Sequence, residues 1–440
     1  MFDPKDNMCI GGFGRVYYPP GRIVHQIAPR RLTISKDWRS ALLYLLPPLL
    51  IVVRLTIFIR RRAGTDFANV DTHAGVEAAL VMITCLVLAA SRQTKMVLGR
   101  LSRMSIGMFL IFYGFAGLSA IWSPIPEYSA YRALEFASQF TAILVGIGCF
   151  GDFLRAEKAV LILGLLVASL GIAGTAKLTH LTSLRTNQYA ASASMVLCYC
   201  FAEMRRATGR RRSMLAASAL TGFSIVALGL CATTNVATLV GLLSGALFTW
   251  NRIALIFAVV LLSFVLILAP GLASDFQEIA KDILFPGKSD SQLENLHGRV
   301  PMWEAQLAVA KTSPFVGHGF AVQSRLQGTI SAHNAWVQIF LDTGIVGVVL
   351  FSASVLMFVK EVVRRWNVVP LGLPGCAAAF ICAFVHWVAC PFVGGQWLAP
   401  SFTFAAFAGL YVNHVYCVTN HRLLHPESKY AGCLGHEIVP

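Results

Sequence analysis

Three residues in this sequence are of the right types to do chemistry together. Arg185 stands in "TSLRTNQYA", Arg299 in "HGRVPMW" and His333 in "SAHNAWVQIFLDTGIVGVVLF". An arginine stays charged and presents a planar fork of donors that suits phosphate oxygens. Two arginines can neutralise a lipid-linked diphosphate and stabilise it as a leaving group without a metal. The nucleophile would be a sugar hydroxyl, whose proton needs an acceptor. Histidine, with an unperturbed pKa of about 6.5, suits that task. At a helix N-terminus the dipole disfavours imidazolium, so His333 would stay neutral and able to accept a proton.

Each residue also has a plainer reading. An arginine beside a membrane helix often snorkels to lipid phosphate, which would account for Arg185. Arg299 precedes a helix start, where a positive charge opposes the macrodipole, and so faces a carboxylate or a phosphate. His333 alone reads as an interfacial residue or the neighbour of a cap. His318, flanked by glycines in "VGHGF", reads as a loop residue, and His386 beside Trp387 as a packed, hydrogen-bonded histidine. The argument for a site is topological. Arg185, Arg299 and His333 are far apart in sequence, yet alternating membrane crossings bring all three to one face.

Those crossings follow from composition. Of 440 residues, 56% are hydrophobic and only 13% are charged, and the mean hydropathy is +0.66. A soluble domain is about 25% charged. The chain reads as an all-α polytopic membrane protein, because lipid leaves helices as the plausible spanning elements and the alternation of a barrel strand is missing. At about 20 residues per crossing, about twelve transmembrane helices are expected. They lie near Ala41–Ile59, Val76–Ala90, Met104–Trp122, Ser138–Phe150, Ala159–Ala176, Gln188–Ala202, Met214–Cys231, Val236–Trp250, Ile253–Pro270, Trp336–Val359, Leu371–Cys390 and Pro400–Val415.

The expected organisation is a cytoplasmic tail over 1–40, helices over 41–270, a long periplasmic loop carrying short helices over 271–332, helices over 333–415 and a cytoplasmic tail over 416–440. The loop, at roughly 60 residues, is far longer than an ordinary connection and is a natural place for a site. Pro301 suits the first turn of a helix there. Met302, Ala305 and Val309 would give that helix an apolar face on the membrane surface, and Ser313, Pro314 and Gly317 would end it.

The net charge of +15 would suggest nucleic acid in a soluble protein, but here the positive-inside rule accounts for most of it. The basic stretches "SRQTKMVLGRLSR", "RRATGRRRS" and "KEVVRR" fall on one side, with the N-terminal tail, if the termini are cytoplasmic. "RRRAG" at Arg60 disagrees and lands outside. Other classes fail on motif. There is no GxxxxGK[ST] and no CxxC, and the eleven scattered cysteines read as packing residues. Asp66 and Asp71 lack the further oxygens of a metal site, so no metal and no cofactor is expected. The N-terminus shows no cleavable signal.

Four pieces of the sequence carry a family likeness. They are "GLSAIWSPIPEYSAYRALEF" at Gly117, "RTNQYAASASM" at Arg185, "HGRVPMWEAQLAVAKTSPFVGHGF" and "AHNAWVQIFLDTGIVGVVLF". Together the chain resembles the O-antigen ligase and polysaccharide polymerase family of bacterial inner-membrane glycosyltransferases. The resemblance implies an undecaprenyl-diphosphate-linked glycan as donor and an acceptor glycan or glycolipid, at the periplasmic face and without a metal. Carried over by motif, Arg185 and Arg299 would bind the diphosphate and His333 would sit at the acceptor hydroxyl. Arg132, Asn187, Trp303 and Asn334 would support them. One departure is "CATTNVATL" at Cys231, where the family often has a serine-arginine turn. Thr233, Thr234 and Asn235 could still donate hydrogen bonds. The competing class is a lipid-linked glycan flippase or transporter, which calls for a polar central pathway and inverted repeats.

Overall fold

The computed structural model describes residues 16–17, 23–24, 46, 48–53, 55, 72–101, 104–150, 152–179, 187–229, 231–249, 299–322, 334–365, 372–388 and 398–424. Apart from a two-residue antiparallel pairing of β1 (Val16–Tyr17) with β2 (Ile23–Val24), the ordered elements among them are helices. In chain order these are α1 (Thr72–Ala90), α2 (Arg92–Leu101), α3 (Met108–Leu118), α4 (Pro126–Gly148), α5 (Phe153–Thr179), α6 (Asn187–Met204), α7 (Gly209–Gly229), α8 (Ala232–Thr249), α9 (Arg299–Ala310), α10 (Ala335–Arg365), α11 (Leu373–Trp387) and α12 (Ala399–Leu424). Short 3₁₀ turns, Ser105–Gly107 and Ser119–Trp122, extend α3 at both ends.

Five helical stretches are long and apolar enough to cross a membrane: Ser105–Trp122, Phe153–Ala173, Gly209–Gly229, Ala232–Thr249 and Ala335–Val362. α11 and the apolar part of α1 are shorter. The expected crossing near Ile253–Pro270 lies outside the described residues, as does most of Ala41–Ile59. The expected helix at Ser138–Phe150 in fact starts at Pro126. Its first half escaped the hydropathy reading because Arg132, Glu135, Ser138 and Gln139 face protein, not lipid, and are buried there.

α6 and α12, both expected as crossings, are enclosed by protein in the same way. Residues 189–200 of α6 and 399–414 of α12 are buried throughout. These are the inner helices of the bundle, rich in alanine, serine and glycine, and close approach between backbones takes the place of lipid contact. Around them runs an aromatic spine. Phe109 lies 5.7 Å from Phe404, 5.9 Å from Phe351 and 6.4 Å from Trp387, mostly edge to face, the arrangement that ring quadrupoles favour.

The two ends of the bundle differ. One is pinned by a buried ionic knot. Arg211 of α7 reaches Glu157 of α5 at 2.6 Å and Glu203 of α6 at 2.9 Å. Tyr199 donates to Glu157, and Glu203 accepts from the Gly372 and Gly375 N–H groups at the start of α11. At this end Ser105 also donates to Glu361, whose other oxygen takes the Tyr411 hydroxyl. The three basic stretches named above begin or end here, through Arg205 to the Thr249 carbonyl, α2 against the turn before α3, and Lys360 beside Glu361. The opposite end carries Trp122, the starts of α6 and α10, and the turn after α9.

Candidate functional site

At that second end a helix break and a loop interlock. α10 is two helices joined at Gly344, whose φ of 62° and ψ of −163° are nonhelical. The break frees backbone groups, and the loop after α9 takes them. His318 N–H donates to the Leu341 carbonyl at 3.0 Å and Gly319 N–H to Asp342 at 2.8 Å. In return Ile345 N–H donates to Pro314 at 2.8 Å and Val346 N–H to Phe315 at 3.2 Å. Gly317 and Gly319 both need positive φ to make this clasp, at 69° and 109°. A Cβ on Gly319 would run into Ser123.

The Gly117 stretch closes the clasp from the other side. Ser119 Oγ accepts from Phe320 N–H at 2.8 Å, and the Trp122 indole donates to the Val316 carbonyl at 3.1 Å. Ser123 then caps the next turn through the Ile125 N–H and shares a hydrogen bond with Ser129. Three of the four sequence pieces thus form one rigid platform.

α9 completes it. Pro301 lies in its first turn, as expected, and the helix ends at Ala310 before Ser313 and Pro314. His318 contacts the Val309 carbonyl and Thr312 through Nε2, both at 3.1 Å, and so closes the C-terminal end of the helix. The face turned to the protein is a different one from the apolar stripe of Met302, Ala305 and Val309. Ala305 is exposed, whereas Gln306 and Ala310 are buried against α10. Gln306 is fully buried, with neither amide atom hydrogen-bonded among the described residues.

Asn334, Gln338 and Asp342 follow at four-residue spacing on the first part of α10 and are all buried. Asn334 is the N-cap, its Oδ1 accepting from the Trp336 and Val337 N–H groups at 2.9 and 3.2 Å. Gln338 donates to one Asp342 oxygen at 2.8 Å, and the other has no partner among the described residues. Only Asn334 of these was singled out from sequence. The signal for the rest was the spacing itself, an apolar helix carrying three amide or carboxyl groups on one stripe.

The expected site residues divide accordingly. Arg299 is the first residue of α9 and half-buried, and Trp303 is half-buried one turn on. His333, directly before the Asn334 cap, lies outside the described residues, as does Arg185. Asn187 opens α6, and its side chain also lies outside them. Gly229 abuts Ala190, which brings the turn between α7 and α8 level with that helix start. Thr234 is buried within α8 rather than open in a turn. Arg132 is buried and occupied by Glu135 at 2.6 Å and Tyr128 at 3.2 Å, with the Tyr128 and Tyr131 rings alongside. It reinforces α4 from within. His386 is buried and bonded to Ser194 at 3.3 Å in the bundle interior. No group of three histidine, cysteine, aspartate or glutamate side chains is placed to hold a metal ion among the described residues.

Residues 207–352 match the family model described as O-Antigen ligase. Over these residues the chain is similar to the O-antigen ligase family. No curated protein matches the chain. The O-antigen ligase match runs from α7 through the clasp into α10, taking in the Arg299 and His333 pieces. The Gly117 stretch lies outside the matched residues, yet the fold adds it to the same platform. The matched residues include two of the five described stretches long and apolar enough to cross a membrane, Gly209–Gly229 and Ala232–Thr249, and most of a third, Ala335–Val362, as a multi-pass membrane protein requires.

Proposed function

We propose that this protein is a membrane glycosyltransferase that moves a glycan from an undecaprenyl-diphosphate-linked donor to an acceptor sugar hydroxyl. The observation that carries the reading is the O-antigen ligase match across the clasp and the start of α10. In the proposed reaction the acceptor oxygen attacks the anomeric carbon and the bond to the diphosphate breaks. The hydroxyl proton passes to His333. Arg185 and Arg299 hold the departing diphosphate, whose charge grows as the bond opens. Trp303, Asn187, Arg132 and Asn334 position these groups, Arg132 and Asn334 through the helices they stabilise.

The site faces the periplasm of a bacterial inner membrane, with 271–332 as the periplasmic loop and both tails in the cytoplasm. The gathering of basic stretches at the far end of the bundle supports this orientation. Between the family's activities the reading leans to a polymerase of O-antigen or exopolysaccharide, on the likeness of the Trp122 and Arg299 segments. A ligase acting on lipid A core is the alternative.

The test is the purified protein in proteoliposomes, supplied with a lipid-linked glycan and either a second lipid-linked repeat or lipid A core. A covalently extended repeat is the expected product. Glycan appearing on lipid A core instead assigns the ligase. Lipid crossing the bilayer with no bond made overturns the enzyme reading in favour of a flippase.

A further inference from the structure

Two antiparallel helices give the height of the membrane on this protein. Ser105–Trp122 is 18 residues, about 30 Å with its two 3₁₀ turns counted, and residues 345–361 of α10 span about 26 Å. The pair is locked at one end by Ser105 and Glu361, and at the other by Trp122, Val316 and the Phe315–Val346 backbone bond. Both lengths approach the hydrocarbon thickness of a bilayer, about 30 Å.

Exposure along α10 changes at the same level. None of residues 335–344 is exposed. From Ile345 onward apolar side chains face outward: Ile345, Val346, Val349, Leu356, Met357 and Val359. Hydropathy alone would put the helix in lipid from Trp336, about ten residues or 15 Å earlier. The clasp lies where the change occurs, and it is apolar on its outer side. Phe315 is 71% exposed, Ile121 80% and Leu118 58%. An exposed apolar cluster of this kind marks a contact surface, and this one is continuous with the lipid-facing sides of α3 and α10. Irregular backbone can lie against lipid only when its polar groups are satisfied. Here Pro314 and Phe315 carbonyls are taken by Ile345 and Val346, and Gly317 N–H by Ser313.

We infer that the rim formed by Leu118, Ile121, Phe315, Val316 and Ile345 is seated in the boundary region of one leaflet of a phospholipid bilayer. α9 and residues 335–343 then stand beyond the hydrocarbon, at the level of lipid headgroups. The inference rests on the membrane reading and is independent of glycan transfer.

Photo-crosslinking tests it. A benzophenone amino acid is placed singly at positions 315, 121, 356 and 337, and the full chain is irradiated in phosphatidylethanolamine–phosphatidylglycerol vesicles. Mass spectrometry then reads phospholipid adducts. Adducts at 315 and 121 comparable to those at the lipid-facing position 356, with none at 337, are expected. Adducts at 356 but not at 315 and 121 overturn the rim. Equal labelling at 337 overturns the raised platform. No adduct at 356 refutes the membrane reading itself.

Discussion

The indole N–H of Trp122 donates to the backbone carbonyl of Val316 at 3.1 Å, across 194 positions of the chain. It ties the end of a membrane helix to the loop that grips the break in α10. Trp122→Phe keeps an aromatic ring beside Phe115 and removes only this bond. A net loss of about 1 kcal/mol is expected, concentrated in the clasp. Amide hydrogen exchange over residues 313–322 should quicken while exchange in α6 stays unchanged.

Gly344→Ala should be far more damaging. Its φ and ψ lie in a region open almost only to glycine, and a Cβ would overlap the Phe315 carbonyl. A loss above about 3 kcal/mol is expected. Gly114→Ala is the contrast, since a Cβ there meets nothing within 4 Å, and a helical alanine gains about 1 kcal/mol over glycine. Thermal unfolding in detergent should move in opposite directions for the two variants.

At the other end of the bundle, Arg211→Met leaves Glu157 and Glu203 buried without their cation. A cost of about 3–5 kcal/mol is expected, seen as a lower unfolding temperature and lower yield in the membrane. Transfer per folded molecule should not change, because the knot lies away from the clasp. A specific loss of transfer at normal stability would contradict that separation.

The two residues of "HN" should behave differently. Asn334→Ala removes the cap of α10, at about 1 kcal/mol, and should reduce transfer by a fraction that Asn334→Asp restores. His333→Ala should abolish transfer while the protein still inserts at normal yield. Normal product from the histidine variant would end its assignment as the base.

Among the described residues nothing hydrogen-bonds the buried Gln306 amide, and burying an amide without a partner is costly. Gln306→Leu should therefore raise the unfolding temperature and, if the amide serves the site, lower transfer in the same protein. Stabilisation with unchanged transfer would make Gln306 a packing residue only.

Helix positions were legible in the sequence wherever lipid selects the side chains, as in α7 and α10. They were less legible where protein does. α4 hid its first half behind Arg132 and Glu135, whose charges are met inside the fold. The pieces of the platform were visible as motifs, since Gly317, Gly319 and Gly344 stand out beside Pro314 and Asp342. Their joining was not visible, because the bonds between 314–319 and 341–346 depend on a helix break that hydropathy smooths over. Nor could periodicity turn Gln306 inward, as an amide at that spacing reads as an outward residue.

The enclosure of α6 and α12 bears on how the chain is made. Hydropathy marks both as crossings, yet among the described residues neither is one of the stretches long and apolar enough to cross a membrane by itself. α12 emerges last, when α4, α5, α6 and α11 are available to receive it. α6 emerges before α7, α8 and α11, the partners that cover most of its surface. Its enclosure is therefore complete only once α11 has been made.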